Sequence, residues 1–196
     1  MTTSVSLGVT KPSIDPSTVQ KPVTEGPVLN LGCGHKKVAG AVNLDVTPAT
    51  NPDVVHDLDA RPWPFEDSTF REVFAFDVIE HLDDFLGAME EIHRICKSGA
   101  LVFIQVPHFS SRNAYTDPTH RRFFGAASMD YLSADHELGF YTEARFRVLQ
   151  SSIVFKPTLL SKLVWRLANR FPDSYEESFA WIYPAWFLWF RLEVIK

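Results

Sequence analysis

Two histidines and an aspartate near the middle of the chain could perform acid–base chemistry. His108 follows an apolar run, and Asp117 and His120 lie in the polar stretch that comes next. Histidine titrates near neutral pH, so either ring could accept the proton of a hydroxyl nucleophile. A turn at Pro118 would let the Asp117 carboxylate orient the His120 ring. His108 and His120 are therefore alternative general bases, although Asp117 and His120 could equally serve only to stabilise the loop.

A basic pair follows these residues directly. Arg121 and Arg122 stand after His120 in the stretch "DPTHRRFF". Guanidinium groups bind phosphates and carboxylates through paired hydrogen bonds, so the two arginines could hold an anionic acceptor. The alternative is that both are solvated or form ion pairs within the chain.

Two glycines and a later acid form a second group with chemical potential. Gly32 and Gly34 follow the apolar run "VLNL", and Asp45 ends the run "AVNLD". A phosphate-binding loop would need Ser or Thr after its lysine, and a dinucleotide-binding loop would need a third glycine and a later acid. The stretch fits S-adenosyl-L-methionine (SAM), a ligand without phosphates, better than it fits a nucleotide. Glycine lets its amino-acid part approach the backbone, and an acid can accept hydrogen bonds from its ribose.

Short apolar strands must position both groups. Five runs have the length of buried parallel strands, and they end at or near Leu31, Asp45, Asp57, Asp77 and Pro107. Apolar residues at helical spacing over 85–96 predict a helix between the fourth and fifth runs. Further along, the pattern predicts a strand over 146–155, helices over 160–171 and 174–182, and a last strand over 186–195. Strands and helices in this arrangement predict an α/β fold with a parallel sheet.

Five stretches together resemble one family. "NLGCG", "NLD", "HDLD", "RPWPFEDSTFREVFAFDVIEHL" and "EIHRICKSGALVFIQVP" occur in the order of the motifs of class I SAM-dependent methyltransferases. The fourth stretch is similar to the subgroup related to ubiquinone biosynthesis, with methyltransferase type 11-like domains. "DPTHRRFF" resembles methyltransferases linked to polysaccharide or sugar biosynthesis. The resemblance implies a Rossmann-like, mostly parallel seven-stranded sheet with an antiparallel last strand and helices on both faces.

The resemblance also implies a set of cofactor-binding residues. Asp45 would bind the ribose, Asp57 would bind the adenine amino group, and Leu58 would pack on the adenine ring. The full set of expected cofactor-binding residues is Asn30, Gly32, Cys33, Gly34, Asp45, Asp57, Leu58, Asp77, Val78 and His81. Asn30 stands where the family usually has an acid, so it can form hydrogen bonds but adds no charge.

Composition limits the domain organisation and the partners. A chain of 196 residues suits one domain, and its net charge of −5 gives no support for nucleic-acid binding. We expect a flexible tail over 1–24 and one methyltransferase domain over 25–196, with a helical lid-like insertion over 157–184. No signal peptide or transmembrane segment is evident, and two widely spaced cysteines favour a reducing, cytoplasmic location. Acids and histidines do not stand together at metal-ligand spacing, so no metal is predicted.

The sequence thus predicts a SAM-dependent methyltransferase that methylates a small molecule, most favourably at a hydroxyl of a sugar or other metabolite. A SAM-binding module without catalysis, acting through a protein partner, is the alternative. An NAD-linked oxidoreductase is a third possibility. The aromatic C-terminal part predicts a lid, with contact to a membrane surface as a weaker alternative.

Overall fold

The apolar runs of the sequence form one seven-stranded sheet. A computed structural model describes residues 25–137 and 139–196. Its strands are β1 (Val28–Leu31), β2 (Val42–Asp45), β3 (Val54–Val55), β4 (Phe70–Phe76), β5 (Cys96–Pro107), β6 (Arg145–Val154) and β7 (Phe187–Ile195). They lie in the order β3-β2-β1-β4-β5-β7-β6. β7 is antiparallel to both of its neighbours and the remaining pairs are parallel, which confirms the predicted α/β fold.

The strand order reverses between β1 and β4. The chain runs outward from β1 through β2 to β3, and it then returns to place β4 on the other side of β1. In open α/β sheets, ligands bind beyond the carboxyl ends of the strands at such a reversal. The expected tail over 1–24 lies outside the described residues.

Side-chain amides replace a helix between β1 and β2. This crossover is too short for a helix, and it consists of turns. Asn30 donates to the Lys36 carbonyl and to the Asn43 Oδ1 atom, both at 3.0 Å. Asn43 in turn accepts from the Val38 backbone N–H and donates to Asp53. These bonds satisfy polar groups that a helix would otherwise pair.

Besides short 3-10 turns, the described chain has four α-helices: α1 (Phe85–Ile95), α2 (Asn113–Thr116), α3 (Ser161–Arg170) and α4 (Pro172–Ser178). Asp84 begins α1, because its carboxylate accepts the Gly87 backbone N–H at 3.0 Å. Met89 and Ile92 are fully buried on the inner face of this helix. α1 ends one residue earlier than the sequence pattern predicts, since Cys96 already pairs with Phe70 as part of β5.

The sheet buries apolar side chains on both faces. The larger cluster joins one face of the strands to buried residues of α1, α3 and α4. The smaller cluster lies on the opposite face and consists of Val28, Val38, Phe74, Phe103 and Trp189. None of these five residues belongs to a described helix.

Two helices, α3 and α4, lie between β6 and β7. Asn169 on α3 pairs with the Ile153 backbone in both directions, which attaches the helix to β6. Much of the apolar surface of this region faces outward: Leu160, Leu163 and Trp181 are all more than one-third exposed. Of the helices that the structure describes, none has the length and apolarity to cross a bilayer.

Candidate functional site

The glycine turn lies at the carboxyl end of β1, beside the reversal of the strand order. Gly32 and Gly34 both have left-handed backbones, with φ of +56° and +47°. A Cβ atom on Gly32 would lie 2.3 Å from the Val78 side chain, so glycine is required there for packing. A Cβ atom on Gly34 would meet no atom within 4 Å. The backbone at Gly34 therefore borders open space at the carboxyl edge of the sheet.

Asp45 joins the ends of β1 and β2. One carboxylate oxygen accepts the Gly34 backbone N–H at 2.7 Å, and the other accepts the Thr47 N–H at 3.0 Å. A carboxylate offers about four lone-pair positions, so two of them remain for further donors. Asp45 is thus buried beside the glycine turn and can still accept hydrogen bonds from a ligand.

Two of the expected cofactor-binding residues lie in the supporting layer of the turn. Asn30 is buried, and its amide nitrogen is used by Lys36 and Asn43, so this amide holds the crossover in place. Cys33 is also buried, and its backbone N–H donates to the Leu44 carbonyl. Burial raises the pKa of the Cys33 thiol, and the Asp45 charge raises it further. This cysteine is therefore a protonated packing residue.

The loop after β3 carries the two residues that we expected to contact adenine. The Asp57 side chain is exposed and Leu58 is buried. Trp63 holds this loop in place. Its ring N–H donates to the Leu58 carbonyl, and its backbone N–H donates to Glu91 on α1. Arg94 holds Glu91 through two hydrogen bonds, and these bonds keep the pKa of the Glu91 carboxyl below its usual range.

Asp77 ends β4 in a constrained conformation. Its φ of +55° lies in the left-handed region, which is uncommon for a residue with a side chain. Gln105 on β5 holds it there, because the Asp77 N–H donates to the Gln105 carbonyl and the Gln105 amide donates to the Asp77 carboxylate. Lys36 reaches the same carboxylate at 3.5 Å. Residues held in uncommon backbone conformations cluster at binding sites, and this turn leads directly from β4 into residues 78–81.

A cleft opens beside this turn, at the carboxyl ends of β4 and β5. It encloses about 600 Å³, a size that suits a small molecule. Its polar lining combines acids, histidines and an amide, and the lining residues include Asp77, Glu80, His81, Asn113, Asp117 and His120. The cleft thus contains Asp77 and His81 from the expected cofactor set together with Asp117 and His120 from the expected catalytic set.

Glu80, His81 and His120 form a compact group in the cleft. The Nε2 atom of His120 lies 3.9 Å from the Glu80 Oε1 atom, and the two imidazole rings are 4.6 Å apart. The Glu80 side chain is 1% exposed, and neither of its oxygens has a hydrogen-bond partner. Burial raises the pKa of Glu80 to about 8, with a smaller contribution from the charges of Asp77 and Asp117. Burial also lowers the pKa of His81.

His108 is enclosed and forms structural contacts. Its side chain is fully buried. Its Nδ1 atom accepts the Ser110 backbone N–H at 3.0 Å, and its Nε2–H donates to Glu176 at 3.1 Å. Glu176 also accepts the Ala126 N–H, so His108 joins the end of β5 to α4. Both ring nitrogens are used, and of the two bases expected from the sequence only His120 borders the cleft.

The structure corrects the expected pairing of Asp117 with His120. The turn at Pro118 forms, but the His120 Nδ1 atom contacts the Ala114 carbonyl at 3.2 Å. The Asp117 carboxylate instead accepts the Thr119 hydroxyl at 2.6 Å, and the Thr119 hydroxyl contacts the His81 Nδ1 atom at 2.8 Å. Asp117 therefore orients His81 through Thr119.

The two arginines are also paired within the chain. Arg121 forms an ion pair with Asp83, and the Arg122 guanidinium donates to the Asp83 carbonyl. The backbone N–H groups of both arginines donate to the Glu80 carbonyl, which fixes the position of Glu80. This arrangement matches the second of the two sequence interpretations, ion pairs within the chain.

The site residues named from the sequence include His81 but neither its neighbour Glu80 nor Thr119. Glu80 stands in "DVIEHL", where an acid before an apolar run is typical of a helix start. A signal was nevertheless present, because Glu80 and His81 directly follow the Asp77 strand end, where ligands bind. Thr119 carries no such signal, since its role depends on a contact with a histidine far away in the sequence.

Comparisons with known proteins agree with this fold. The family model described as "Methyltransferase domain" matches residues 12–146. A SAM-dependent methyltransferase from Archaeoglobus fulgidus is similar in structure, with 16% identity, a TM-score of 0.55 and 86% of each chain covered. A Haloferax volcanii chain solved in complex with the Trm112 methyltransferase activator has 19% identity and a TM-score of 0.56, and the match covers 87% of this chain and 83% of that one.

A third similar structure contains the cofactor. It is phosphoethanolamine N-methyltransferase 2 from Haemonchus contortus in complex with SAM, with 16% identity and a TM-score of 0.56. The match covers 87% of this chain and 49% of that one. At these identities the structural likeness establishes the fold. No curated protein matches the chain.

Proposed function

The chain belongs to the methyltransferase domain family, and on this basis we propose that it transfers a methyl group from SAM to a hydroxyl of a small, uncharged acceptor. SAM is its cofactor and supplies a methyl group made electrophilic by the sulfonium charge. One observation carries the proposal: the glycine turn and Asp45 lie at the same edge of the sheet as the cleft that contains Glu80, His81 and His120. Methyl transfer needs a nucleophile close to the cofactor and in line with its reacting bond.

The residues at the end of β1, β2 and β3 are suited to hold the cofactor. The open space at Gly34 would admit the amino-acid part of SAM beside the backbone. Asp45 keeps lone pairs for the ribose hydroxyls, and the exposed Asp57 carboxylate can accept the adenine amino group. We propose that Leu58, Asp77 and Val78 complete the pocket from the adjacent loops. Asn30 and Cys33 are buried behind the glycine turn and hold it in place. These features fit SAM without any contact to a phosphate.

The charges in the cleft favour a neutral acceptor. Asp77 and Asp117 line it, and their carboxylates would repel a phosphate or carboxylate. Arg121 and Arg122, which might have attracted an anion, are engaged with Asp83. Carboxylates and an amide accept hydrogen bonds well from hydroxyl groups. A sugar-like compound with several hydroxyls therefore suits the cleft better than an anionic acceptor does.

We assign the activation of the acceptor hydroxyl to the group that contains His120. The His120 Nδ1 atom contacts a backbone carbonyl, which only accepts, so Nδ1 carries the hydrogen and Nε2 presents a lone pair. This lone pair faces Glu80 within the cleft. A hydroxyl placed there loses its proton as its oxygen bonds to the methyl carbon.

Two measurements test the proposal in sequence. Calorimetry with SAM and with S-adenosylhomocysteine tests cofactor binding, and NAD serves as the control ligand for the oxidoreductase alternative. Transfer of labelled methyl groups is then measured with a panel of sugars, sugar phosphates and amines. We expect SAM binding and transfer to neutral sugars above transfer to their phosphates. Binding of NAD but not SAM would contradict the assignment of SAM as the cofactor. Methyl transfer only to amines or anions would contradict the proposed class of neutral hydroxyl acceptors.

A second candidate function is supported by the outward apolar surface of the residues between β6 and β7. Leu159, Leu163, Trp181 and Ile182 are each at least 60% exposed. Large exposed apolar patches often mark protein or membrane contacts. The Haloferax volcanii chain with a similar fold was solved with an activator protein. A SAM-binding module that acts through a partner would bind SAM and remain without turnover across the whole acceptor panel.

We also propose that the protein is located in the cytoplasm. Cys33 and Cys96 are both free and buried. Unpaired thiols are typical of a reducing compartment, which supports the cytoplasm. Fluorescent tagging and fractionation of the cells would test this location directly.

A further inference from the structure

The two histidines beside Glu80 each use the Nδ1 atom in a contact outside the group. The Thr119 hydroxyl donates its only hydrogen to the Asp117 carboxylate, so it must accept a hydrogen bond from the His81 Nδ1–H. The His120 Nδ1–H likewise donates to the Ala114 carbonyl. In each neutral ring the second nitrogen, Nε2, is then a lone-pair acceptor.

Glu80 adds a third acceptor to the same place. Its side chain is 1% exposed, and both carboxyl oxygens lack a hydrogen-bond partner. One ligand atom from each of Glu80, His81 and His120 lies within 4.8 Å of the other two. The unpaired carboxyl oxygens of Glu80 are costly because they are buried, and a cation shared with the two histidines would compensate them.

We propose that Glu80, His81 and His120 bind a divalent transition-metal ion in the acceptor cleft. The ligand set consists of two imidazole Nε2 atoms and one carboxylate. The histidine Nδ1 atoms already form the outer contacts that ligating histidines usually make, one to a backbone carbonyl and one to a hydroxyl backed by a carboxylate. The cleft of about 600 Å³ provides an entry path for the ion and leaves room for the acceptor.

The chemistry of the ligands selects the kind of ion. Imidazole nitrogen with carboxylate oxygen suits Zn²⁺, Mn²⁺, Fe²⁺ and Co²⁺, whereas Mg²⁺ and Ca²⁺ prefer sites built from oxygen. Three protein ligands leave coordination positions open, as in catalytic metal sites. The sequence predicts no metal because His120 lies far beyond Glu80 and His81 in the chain, and no short spacing connects them.

This inference rests on the proposed methyl transfer and specifies how the hydroxyl is activated. A hydroxyl bound at an open position of the ion has a lowered pKa and releases its proton to water. The acceptor oxygen then forms the bond to the methyl carbon while the carbon–sulfur bond breaks. The electron pair of that bond stays on sulfur, which leaves S-adenosylhomocysteine neutral. His120 in this case is a metal ligand, and the ion takes the place of a direct base.

Metal binding can be measured without any acceptor. The full chain is treated with a chelator and dialysed, and Mn²⁺, Zn²⁺ or Mg²⁺ is added in a calorimeter. We expect one Mn²⁺ or Zn²⁺ per chain and much weaker binding of Mg²⁺. Glu80→Gln should weaken Mn²⁺ binding more than about tenfold, since removal of even outer-shell partners costs about 10–100-fold. Co²⁺ added to the chelated protein should give visible absorption bands that Glu80→Gln removes.

Glu90→Gln is the matched control. It makes the same chemical change on α1, where Glu90 accepts the Thr142 hydroxyl at 2.9 Å, a bond that glutamine can keep. His120→Asn provides a second variant at the site if Glu80→Gln does not fold, as judged by circular dichroism. The inference is wrong if no added ion binds at one site per chain, or if Glu80→Gln binds Mn²⁺ as Glu90→Gln does.

The same preparation separates this inference from the proposed function. Methyl transfer that continues in excess chelator would support the proposed methyl transfer and contradict the proposed role of the metal ion. Metal binding without SAM binding would support the metal site and contradict the proposed methyl transfer. Loss of transfer in chelator, restored by Mn²⁺ or Zn²⁺ and not by Mg²⁺, supports both.

Discussion

The Asp45 carboxylate accepts the Gly34 backbone N–H at 2.7 Å, so the acid at the end of β2 holds the glycine turn at the end of β1. The same carboxylate caps its own loop through the Thr47 N–H. A residue that we propose to bind ribose therefore also shapes the loop that faces the amino-acid part of SAM. A change at Asp45 should affect both parts of the cofactor pocket.

Asp45→Asn should weaken SAM binding by about 1–3 kcal/mol, the range for a lost hydrogen bond to a charged group. Calorimetry measures this as an increase in Kd. Asp67→Asn is the control, because Asp67 is an exposed acid that pairs with Arg94 before the start of β4, at the opposite edge of the sheet. Equal SAM affinity in Asp45→Asn and the native chain would refute the ribose assignment.

Alanine substitutions at the two glycines should have different effects. Gly32→Ala would place its Cβ atom 2.3 Å from the Val78 side chain, so we expect a strong loss of thermal stability. Gly34→Ala meets no neighbour, and we expect only the left-handed backbone cost of about 1–2 kcal/mol. Its methyl group enters the proposed cofactor space, so SAM should bind more weakly to a folded protein. Unfolding curves and SAM titrations on both variants distinguish these effects.

Native SAM affinity in a folded Gly34→Ala variant would show that the open space at this glycine is not part of the cofactor pocket. Similar unfolding curves for both variants would show that the contact between Gly32 and Val78 is unimportant.

Substitutions of His108 and His120 should have different effects, the first on stability and the second on turnover. His108→Gln disturbs the buried contacts to Ser110 and Glu176, and we expect a loss of about 1–3 kcal/mol in the free energy of unfolding. His120→Asn should leave the fold intact and lower kcat by about a hundredfold or more. Urea unfolding and labelled-methyl assays measure the two quantities. A folded His108→Gln variant with kcat reduced as much as in His120→Asn would restore His108 as a candidate for catalysis.

Glu91→Gln should destabilise the protein at neutral pH and less so in acid. Arg94 and the Trp63 N–H hold the Glu91 carboxylate, and the pKa of this carboxyl is lowered in the folded state. A lowered pKa means that the charged form stabilises the fold above the unfolded pKa of about 4.3, and that this stability is lost as the pH falls through the lower folded pKa. We expect a loss of about 1.5–3 kcal/mol at pH near 7.

Urea unfolding of both proteins across the acid range checks this prediction. The difference between the native chain and Glu91→Gln should shrink as the pH falls. A constant difference would show that the ionised carboxylate is not the stabilising form.

Much of the carboxyl edge of the sheet, where we propose that SAM binds, could be predicted from local sequence. The glycines, Asp45 and Asp77 each stand at the end of an apolar run, and parallel strands bring such ends to one edge of the sheet. The residues of the cleft were harder to predict. His108 directly follows β5, yet its ring turns into the protein toward Glu176 on α4, a contact between distant parts of the chain.

The sequence by itself determined the order of strands and helices along the chain and the residues at the strand ends, because hydrophobic periodicity and turn residues act over short distances. The cofactor class followed from the resemblance of five motifs to one family. Only the tertiary structure decided that Asn30 supports the crossover, that Asp117 orients His81, and that Glu80 meets His120 in a cleft. Burial and ring orientation depend on residues far apart in the chain. Local spacing contains no information about those long-range contacts, so three dispersed acceptors became one site only in the folded protein.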